Sequence, residues 1–210
     1  MKRLGILLSG RGTNFTAIAD AIASHHLLGA EIAVVISNIA DAPGVKAARA
    51  RGLTVFVIET KGRSREECDA EMIARLHQHN VDLVCLAGYM RLLSPQFVRA
   101  FPRCILNIHP SLLPQFRGLH AQRQALESGA KVTGCTVHFV DEELDHGPII
   151  LQRTISILDG DTEETLSARL LKEEHIAYRE AIARVLSGKF EVRGRRYVPR
   201  NLVDTSAEKH

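Results

Sequence analysis

A short apolar run passes directly into a glycine-rich turn in the stretch Leu4-Gly-Ile-Leu-Leu-Ser-Gly-Arg-Gly-Thr-Asn14. The run shows no polar alternation, which is typical of a β-strand covered on both faces. The residues that follow, Phe15–Ala23, place apolar side chains at the spacing of one helix face. A strand, a turn and a helix in this order predict the first unit of an α/β fold with a parallel sheet.

The same alternation continues through the first half of the chain. Further strands are predicted at Ile32–Ile36, Val55–Ile58, Leu83–Leu86 and Ile105–Ile108. Helical patterns between them cover Gly44–Arg51 and Ser64–Gln78, and the second of these opens with the spacing of a capping box. This order predicts right-handed crossovers between parallel strands.

The second half of the chain predicts a different arrangement. Two longer strands, Val132–Val140 and Ile149–Ile157, flank a loop at Asp141–Pro148, and we expect them to extend the sheet in antiparallel fashion. A long helix at Thr162–Leu186 and a small hairpin around Gly194 follow. The predicted fold class is therefore a Rossmann-like α/β domain with a mostly parallel central sheet and helices on both faces.

The composition fits one globular domain. Of the 210 residues, 45% are hydrophobic and 24% are charged, and the formal net charge of +3 is too small to favour nucleic acid binding. No window approaches the roughly 18 apolar residues that a membrane helix needs, and the N-terminus shows no leader pattern. The four cysteines are far apart, which favours a reducing, cytoplasmic setting. We expect one domain over residues 1–200 and a flexible tail over 201–210.

The turn at Ser9–Asn14 suits a small phosphate. A helix N-terminus offers free N–H groups there, and glycine lets a ligand approach the backbone closely. Phe15 replaces the third glycine of a dinucleotide fingerprint, and the second strand ends at Ser37-Asn38 where a ribose-binding acid would be expected. The turn therefore predicts a phosphate site and argues against NAD. The alternative is a tight turn that needs glycine for its geometry alone.

Three polar residues form a candidate catalytic set. Asn107 and His109 leave the fifth strand on one face, at the carboxyl end where open α/β sheets bind ligands. An amide donor beside an imidazole can stabilise an oxyanion and move a proton near neutral pH. Asp145 can fold back to favour the charged imidazole. Taken singly, each residue has a structural alternative: a bonded histidine, an asparagine cap or an aspartate turn.

The chain resembles the phosphoribosylglycinamide formyltransferases, a branch of the folate-dependent formyl transferases. The motifs that carry the resemblance are Ser9-Gly-Arg-Gly-Thr-Asn14, Leu86-Ala-Gly-Tyr-Met-Arg91, Asn107-Ile-His-Pro-Ser-Leu-Leu-Pro114, Thr133-Gly-Cys-Thr-Val-His-Phe-Val140 and Leu144-Asp-His-Gly147. The resemblance implies that the formyl group of 10-formyltetrahydrofolate passes to the amine of glycinamide ribonucleotide in purine (IMP) biosynthesis. It implies no metal, and no histidine or cysteine cluster has metal-ligand spacing.

The resemblance also implies a role for each matching position, with the phosphate held by the N-terminal half and the folate by the C-terminal half. The residues implied for the substrate phosphate and ribose are Gly12, Thr13, Asn14 and Glu174. The implied catalytic residues are Asn107, His109 and Asp145. The implied folate-binding residues are Arg65, Met90, Arg91, Leu92, Leu93, Asn107, Val140, Asp141, Glu142, Glu143, Leu144 and Asp145.

Two positions depart from the family pattern. Some relatives carry a lysine where this chain has Leu171, with Lys172 beside it, so a lysine contact to the phosphate is in question. His146 stands where relatives often have a small residue, and we expect its side chain to point to solvent. The family also implies a cis peptide bond between Leu113 and Pro114.

Three other functions are alternatives. A methionyl-tRNA formyltransferase would normally add a C-terminal domain and stronger positive charge, and a formyltetrahydrofolate hydrolase would add an N-terminal regulatory domain. A phosphosugar-binding sensor would explain the glycine turn but not Asn107, His109 and Asp145 together. We expect small-molecule substrates only, and a monomer or weak homodimer without nucleic acid or membrane partners.

Overall fold

The computed structural model describes residues 1–200 of the chain. The strands of this part are β1 (Lys2–Leu8), β2 (Ala30–Ser37), β3 (Val55–Val57), β4 (Leu83–Leu86), β5 (Ile105–His109), β6 (Val132–Phe139), β7 (Ile149–Ser156), β8 (Phe190–Arg193) and β9 (Arg196–Pro199). The helices are α1 (Thr13–Ala23), α2 (Pro43–Ala50), α3 (Arg65–Gln78), α4 (Pro95–Ala100), α5 (Ala121–Glu127) and α6 (Glu163–Leu186).

All these strands join one sheet in the order β3-β2-β1-β4-β5-β6-β7-β9-β8. Strands β1 to β5 pair in parallel, and β6 and β7 then add antiparallel pairs, as the sequence predicts. The chain reverses its direction of strand addition between β1 and β4, and ligands of open α/β sheets bind at such a switch point. The carboxyl ends of β1, β4 and β5 therefore lie side by side.

Two apolar clusters hold helices against the two faces of this sheet. Along β1, Leu4, Ile6 and Leu8 enter the cluster that includes residues of α1 and α6. The intervening Leu7 enters the other cluster, which includes residues of α3 and α4. This period of two explains why the first strand reads as a continuous apolar run, because both of its faces are covered.

The helices α3 and α6 each begin directly after a capping residue. The Ser64 hydroxyl accepts the Glu67 backbone N–H at 3.1 Å, and the Glu67 carboxylate accepts the Ser64 backbone N–H at 2.8 Å. Thr162 and Thr165 form the matching pair before α6. Each pair satisfies N–H groups that have no partner inside the helix, which fixes the first residue of that helix.

Two short helices, α4 and α5, lie in segments for which the sequence indicates no helix. They have six and seven residues. A periodic pattern needs a longer window than this, and helices so short depend on tertiary packing. The peptide bond between Leu113 and Pro114 is cis, as predicted. The predicted flexible tail at 201–210 lies outside the described residues.

Candidate active site

The glycine turn places the start of α1 against the start of α2. Gly12 has φ 70°, and a Cβ atom there would lie 2.8 Å from the Gly44 Cα. The Gly44 backbone N–H donates to the Gly10 carbonyl at 3.1 Å. A side chain at position 12 would therefore push the two helix starts apart. The first turn of α1 carries no acidic residue, so its positive end stays available to an anion.

A carboxylate from α6 reaches this turn. The Asn14 side-chain nitrogen donates to Glu174 Oε2 at 2.9 Å. Asn14 is buried, and burial raises the pKa of the Glu174 carboxyl above its ordinary value, while the Asn14 bond and the charge of Arg11 oppose that rise. Leu171 is half-buried and Lys172 is exposed on the same helix. The Glu174 carboxylate, a hydrogen-bond acceptor, thus lies beside the glycine turn, which itself offers N–H groups to an anion.

The segment that follows β4 lies next to the glycine turn. The Met90 backbone N–H donates to the Ser9 hydroxyl at 2.8 Å, and that hydroxyl donates to Asn38 Oδ1 at 2.6 Å. Met90 and Leu92 nevertheless expose their side chains. Leu93 and Val140 pack against the apolar cluster that includes residues of α3 and α4. An exposed apolar wall with fixed backbone groups suits a flat heterocyclic ligand.

Asn107 is held by a histidine that the sequence does not single out. Asn107 and His138 are direct partners across β5 and β6, and Asn107 Nδ2 lies 3.2 Å from His138 Nε2. The His138 Nδ1 lies 2.8 Å from the Phe139 carbonyl oxygen, which can only accept, so Nδ1 carries the proton and Nε2 accepts from Asn107. Burial lowers the pKa of His138, which keeps it neutral in this role.

His109 lies between two acceptors. Its Nε2 is 2.8 Å from the Phe116 carbonyl oxygen, and its Nδ1 is 3.4 Å from Asp145 Oδ2. Both His109 and Asp145 are buried. The two ring nitrogens of His109 thus face a carbonyl oxygen and a carboxylate oxygen.

The loop at Asp141–Pro148, called here the 141–148 loop, brings Asp145 to this place. Asp145 Oδ2 accepts the Gly118 backbone N–H at 2.8 Å, and Asp145 has φ 49°. A Cβ atom at Gly147 would lie 1.9 Å from the Phe139 carbonyl oxygen, so the loop can return to β7 only with glycine there. The loop thus folds back onto β5 although Asp145 follows His109 by more than thirty residues.

His146 does not point to solvent, and the expectation drawn from the sequence is wrong. Its Nδ1 lies 2.9 Å from Asp141 Oδ2, and its Nε2 faces the Arg195 guanidinium. The imidazole is larger than the side chain that relatives often carry, and it reaches polar partners on both sides. These partners leave the His146 side chain only 23% exposed.

The remaining predicted folate residues differ in their surroundings. Arg91 donates to the Thr60 hydroxyl at 3.0 Å, and Glu142 pairs with Arg99 at 3.2 Å. Glu143 and Leu144 are exposed in the loop. Arg65 is exposed in the first turn of α3, and within residues 1–200 no hydrogen bond or ion pair joins it to another predicted site residue.

Further hydrogen bonds support the segment after β5, and the sequence analysis does not predict them. The Thr136 hydroxyl donates to the Ser111 carbonyl at 2.7 Å and accepts the Leu113 backbone N–H at 3.0 Å. Gln152 donates to the same hydroxyl at 2.9 Å. A signal for Thr136 and His138 exists, because alternation along β6 places both on one face. Their partners follow only from the strand register.

Within residues 1–200, no group of three or more histidine, cysteine, aspartate and glutamate side chains is arranged to hold a metal ion. In the same part of the chain, no helix has the length and apolar content required to cross a membrane. The arrangement instead offers an amide donor and an imidazole beside a buried carboxylate, the groups that stabilise an oxyanion and relay a proton.

Known proteins are similar to this chain in both sequence and fold. The model of the family described as "Formyl transferase" matches residues 2–182. A glycinamide ribonucleotide transformylase 1 structure from Symbiobacterium toebii superposes with a TM-score of 0.92 at 50% identity, over 95% of this chain and 94% of that one. The chain belongs to the formyl transferase family, within the branch of the phosphoribosylglycinamide formyltransferases.

Curated relatives place that branch in two kinds of protein. Phosphoribosylglycinamide formyltransferase of Escherichia coli is 43% identical over 89% of this chain and 88% of its own length. The trifunctional purine biosynthetic protein adenosine-3 of Drosophila pseudoobscura is 48% identical over 89% of this chain. The chain spans only 14% of that longer relative.

Proposed function

We propose that this enzyme transfers the formyl group of 10-formyltetrahydrofolate to the amine of glycinamide ribonucleotide. The products are formylglycinamide ribonucleotide and tetrahydrofolate, and the reaction belongs to purine (IMP) biosynthesis. The observation that carries the proposal is the meeting of Asn107, His109 and Asp145 at the sheet edge that also holds the glycine turn. A phosphate site and an acyl-transfer site then lie at neighbouring strand ends.

The ribonucleotide and the folate approach this edge from two sides. Backbone N–H groups at Gly12, Thr13 and Asn14 receive the phosphate, and Glu174 accepts the ribose hydroxyls. The folate ring lies along Met90–Leu93 and under the 141–148 loop, with Arg65 towards its outer end. The exposed Met90 and Leu92 side chains support this placement, because an exposed apolar wall marks a ligand surface.

The neutral amine attacks the formyl carbon, and negative charge develops on the formyl oxygen. Asn107 and the charged His109 donate to that oxygen, which takes the place of the Phe116 carbonyl at His109 Nε2. Asp145 keeps the imidazole charged and, through water, carries a proton from the attacking amine towards the folate nitrogen. The carbon–nitrogen bond to folate then breaks, and tetrahydrofolate leaves.

The test is incubation with glycinamide ribonucleotide and 10-formyltetrahydrofolate while folate absorbance is followed. Absorbance should change only when both substrates are present. Formyl loss without the amine substrate would indicate a hydrolase, and binding without turnover would indicate a sensor; either result overturns the proposal. Replacing His109 with alanine should reduce turnover by at least about a hundredfold and leave folate affinity within a few-fold.

The setting of the reaction belongs to the same proposal. We infer a cytoplasmic enzyme that acts on small molecules as a monomer or weak homodimer, without nucleic acid or membrane partners. Cys68, Cys85, Cys104 and Cys135 are all free thiols, which supports a reducing compartment. Gel filtration at several protein concentrations measures the oligomeric state directly.

A further inference from the structure

The β8–β9 hairpin packs beside both ends of the 141–148 loop. Residue 182 is the last that the family model matches, so the hairpin lies beyond the matched region. Tyr197 places its ring 5.4 Å from the Phe139 ring, at the end of β6. Arg196 pairs with Ile149, at the start of β7. The hairpin therefore contacts the strand residues from which the loop leaves and to which it returns.

One side chain of the hairpin also reaches the loop itself. The Arg195 guanidinium donates to the His146 carbonyl oxygen at 2.9 Å and contacts the His146 imidazole. The same imidazole bonds Asp141 at 2.9 Å, and Asp141 Oδ1 accepts the Glu143 backbone N–H at 3.0 Å. A chain of polar contacts thus runs from the hairpin through His146 to the beginning of the loop.

The loop borders an open groove on the side of α4 and the hairpin. A groove of about 330 Å³ lies between the loop, α4 and the hairpin, and its lining includes Asp141, Glu142, Val192 and Gly194. The Arg99–Glu142 ion pair at its rim is solvent-exposed, and exposed pairs contribute little to stability. The loop is held by polar contacts to Gly118 and to Arg195, and those to Arg195 lie one residue from Asp145.

We propose that Arg195 and His146 are positioning residues that hold the 141–148 loop to the hairpin, so that Asp145 faces His109 before substrates bind. The catalytic side of this inference rests on the proposed function, whereas the tether itself does not. His146 supplies both a carbonyl acceptor and an imidazole, and a small residue at this position would leave the link to Asp141 unmade.

Amide hydrogen exchange in the whole chain tests the tether without reference to activity. The variant Arg195→Ala should exchange several-fold faster over residues 141–147, while peptides from β1 and β4 stay unchanged. The matched control is Arg193→Ala, because Arg193 pairs with Glu191 of its own strand. Exchange over 141–147 that is equal in Arg195→Ala and wild type would overturn the proposal.

Steady-state kinetics then test the effect on the reaction. Arg195→Ala and His146→Ala should each lower kcat and raise the KM for formyl-folate several-fold, and leave the KM for the ribonucleotide within twofold. The double variant should lose no more activity than the more impaired of the two single variants, because both changes break the same chain of contacts.

Two outcomes separate this inference from the proposed function. A wild-type kcat together with a wild-type folate KM, in a variant whose loop exchange has risen, would overturn the positioning role. A wild-type chain without transferase activity would overturn the proposed function alone, and the exchange data would still decide whether the tether exists.

Discussion

The Asn14 side-chain nitrogen lies 2.9 Å from Glu174 Oε2, and this bond joins the first turn of α1 to the middle of α6. This bond engages one of the two amide hydrogens of Asn14 with the carboxylate. We expect Asn14 to meet the phosphate through its backbone N–H. The Asn14 side chain instead fixes the acceptor for the ribose.

Replacing Asn14 with alanine should raise the KM for the ribonucleotide by about tenfold, which corresponds to roughly 1.4 kcal/mol for a hydrogen bond to a charged group. The KM for formyl-folate should stay unchanged. The effect should disappear with a substrate that lacks the ribose hydroxyls. Inorganic phosphate should inhibit the variant and the wild type equally, and weaker inhibition of the variant would mean that the side chain does contact phosphate.

Arg11 is the cation of the glycine turn, in a chain that has Leu171 where some relatives have lysine. Exchanging Arg11 for glutamine should raise the ribonucleotide KM a few-fold at low salt, because an exposed cation attracts the phosphate over a Debye length of about 10 Å at 0.1 M. The difference from wild type should shrink as salt is added. A salt-independent difference would contradict this electrostatic role. The control is Lys189→Gln, an exposed cation beyond the end of α6.

Changing Asp145 to asparagine retains the size of the side chain and an acceptor for the Gly118 N–H, but removes the charge beside His109. We expect kcat to fall by about a hundredfold or more, since the imidazole loses its negatively charged partner at the reacting centre. Folate KM should change by only a few-fold. The exposed Asp159→Asn serves as control, and a kcat for Asp145→Asn within twofold of wild type would remove Asp145 from the mechanism.

His138 makes stability depend on pH. Burial lowers its pKa in the folded chain below the ordinary value of 6.5, so the unfolded chain binds more protons as the pH falls through that value. Stability should therefore be fully present above pH 6.5 and decrease below it. A His138→Gln variant keeps an acceptor for Asn107 and lacks this titration. Urea unfolding measured between pH 5 and 7.5 should show that the free energy of unfolding falls less at low pH in the variant than in the wild type. An equal fall in both proteins would contradict this role of His138.

The capping box before α3 should contribute measurably to stability. Ser64→Ala removes the hydroxyl that accepts the Glu67 N–H, at a cost of about 1 kcal/mol. For a chain of this size, that loss lowers Tm by about 2–4 °C. Thermal unfolding followed by circular dichroism measures it, with the exposed Thr54→Ala as the reference. Equal Tm values for the two variants would show that the cap is not needed.

Much of the fold follows from hydrophobic patterns. The predicted strand Leu83–Leu86 coincides with β4, and the predicted helix Ser64–Gln78 differs from α3 only in that Ser64 is its cap. These elements pack an apolar face against the sheet, and their residues therefore carry the period of that face. The helices α4 and α5 span less than two turns, which is too short for such a period.

The candidate site follows from the sequence less completely. Asn107 and His109 share a face because a strand alternates, a local property that spacing reveals. His138 becomes the partner of Asn107 only through the β5–β6 register. His146 meets Arg195 across 49 residues, so no local pattern could indicate that contact. Pairings that depend on register or on distant elements require coordinates.

Tyr178 follows Glu174 by one helical turn and places its hydroxyl 3.1 Å from the Leu86 carbonyl oxygen and 3.0 Å from that of Leu106. The acid proposed for the ribose and the strand that bears Asn107 are consequently parts of one stiff frame. This frame fixes the distance between the phosphate-binding glycine turn and the formyl carbon of the bound folate. Analogues whose arm between phosphate and amine is one methylene longer or shorter would misplace the nucleophile even when they bind.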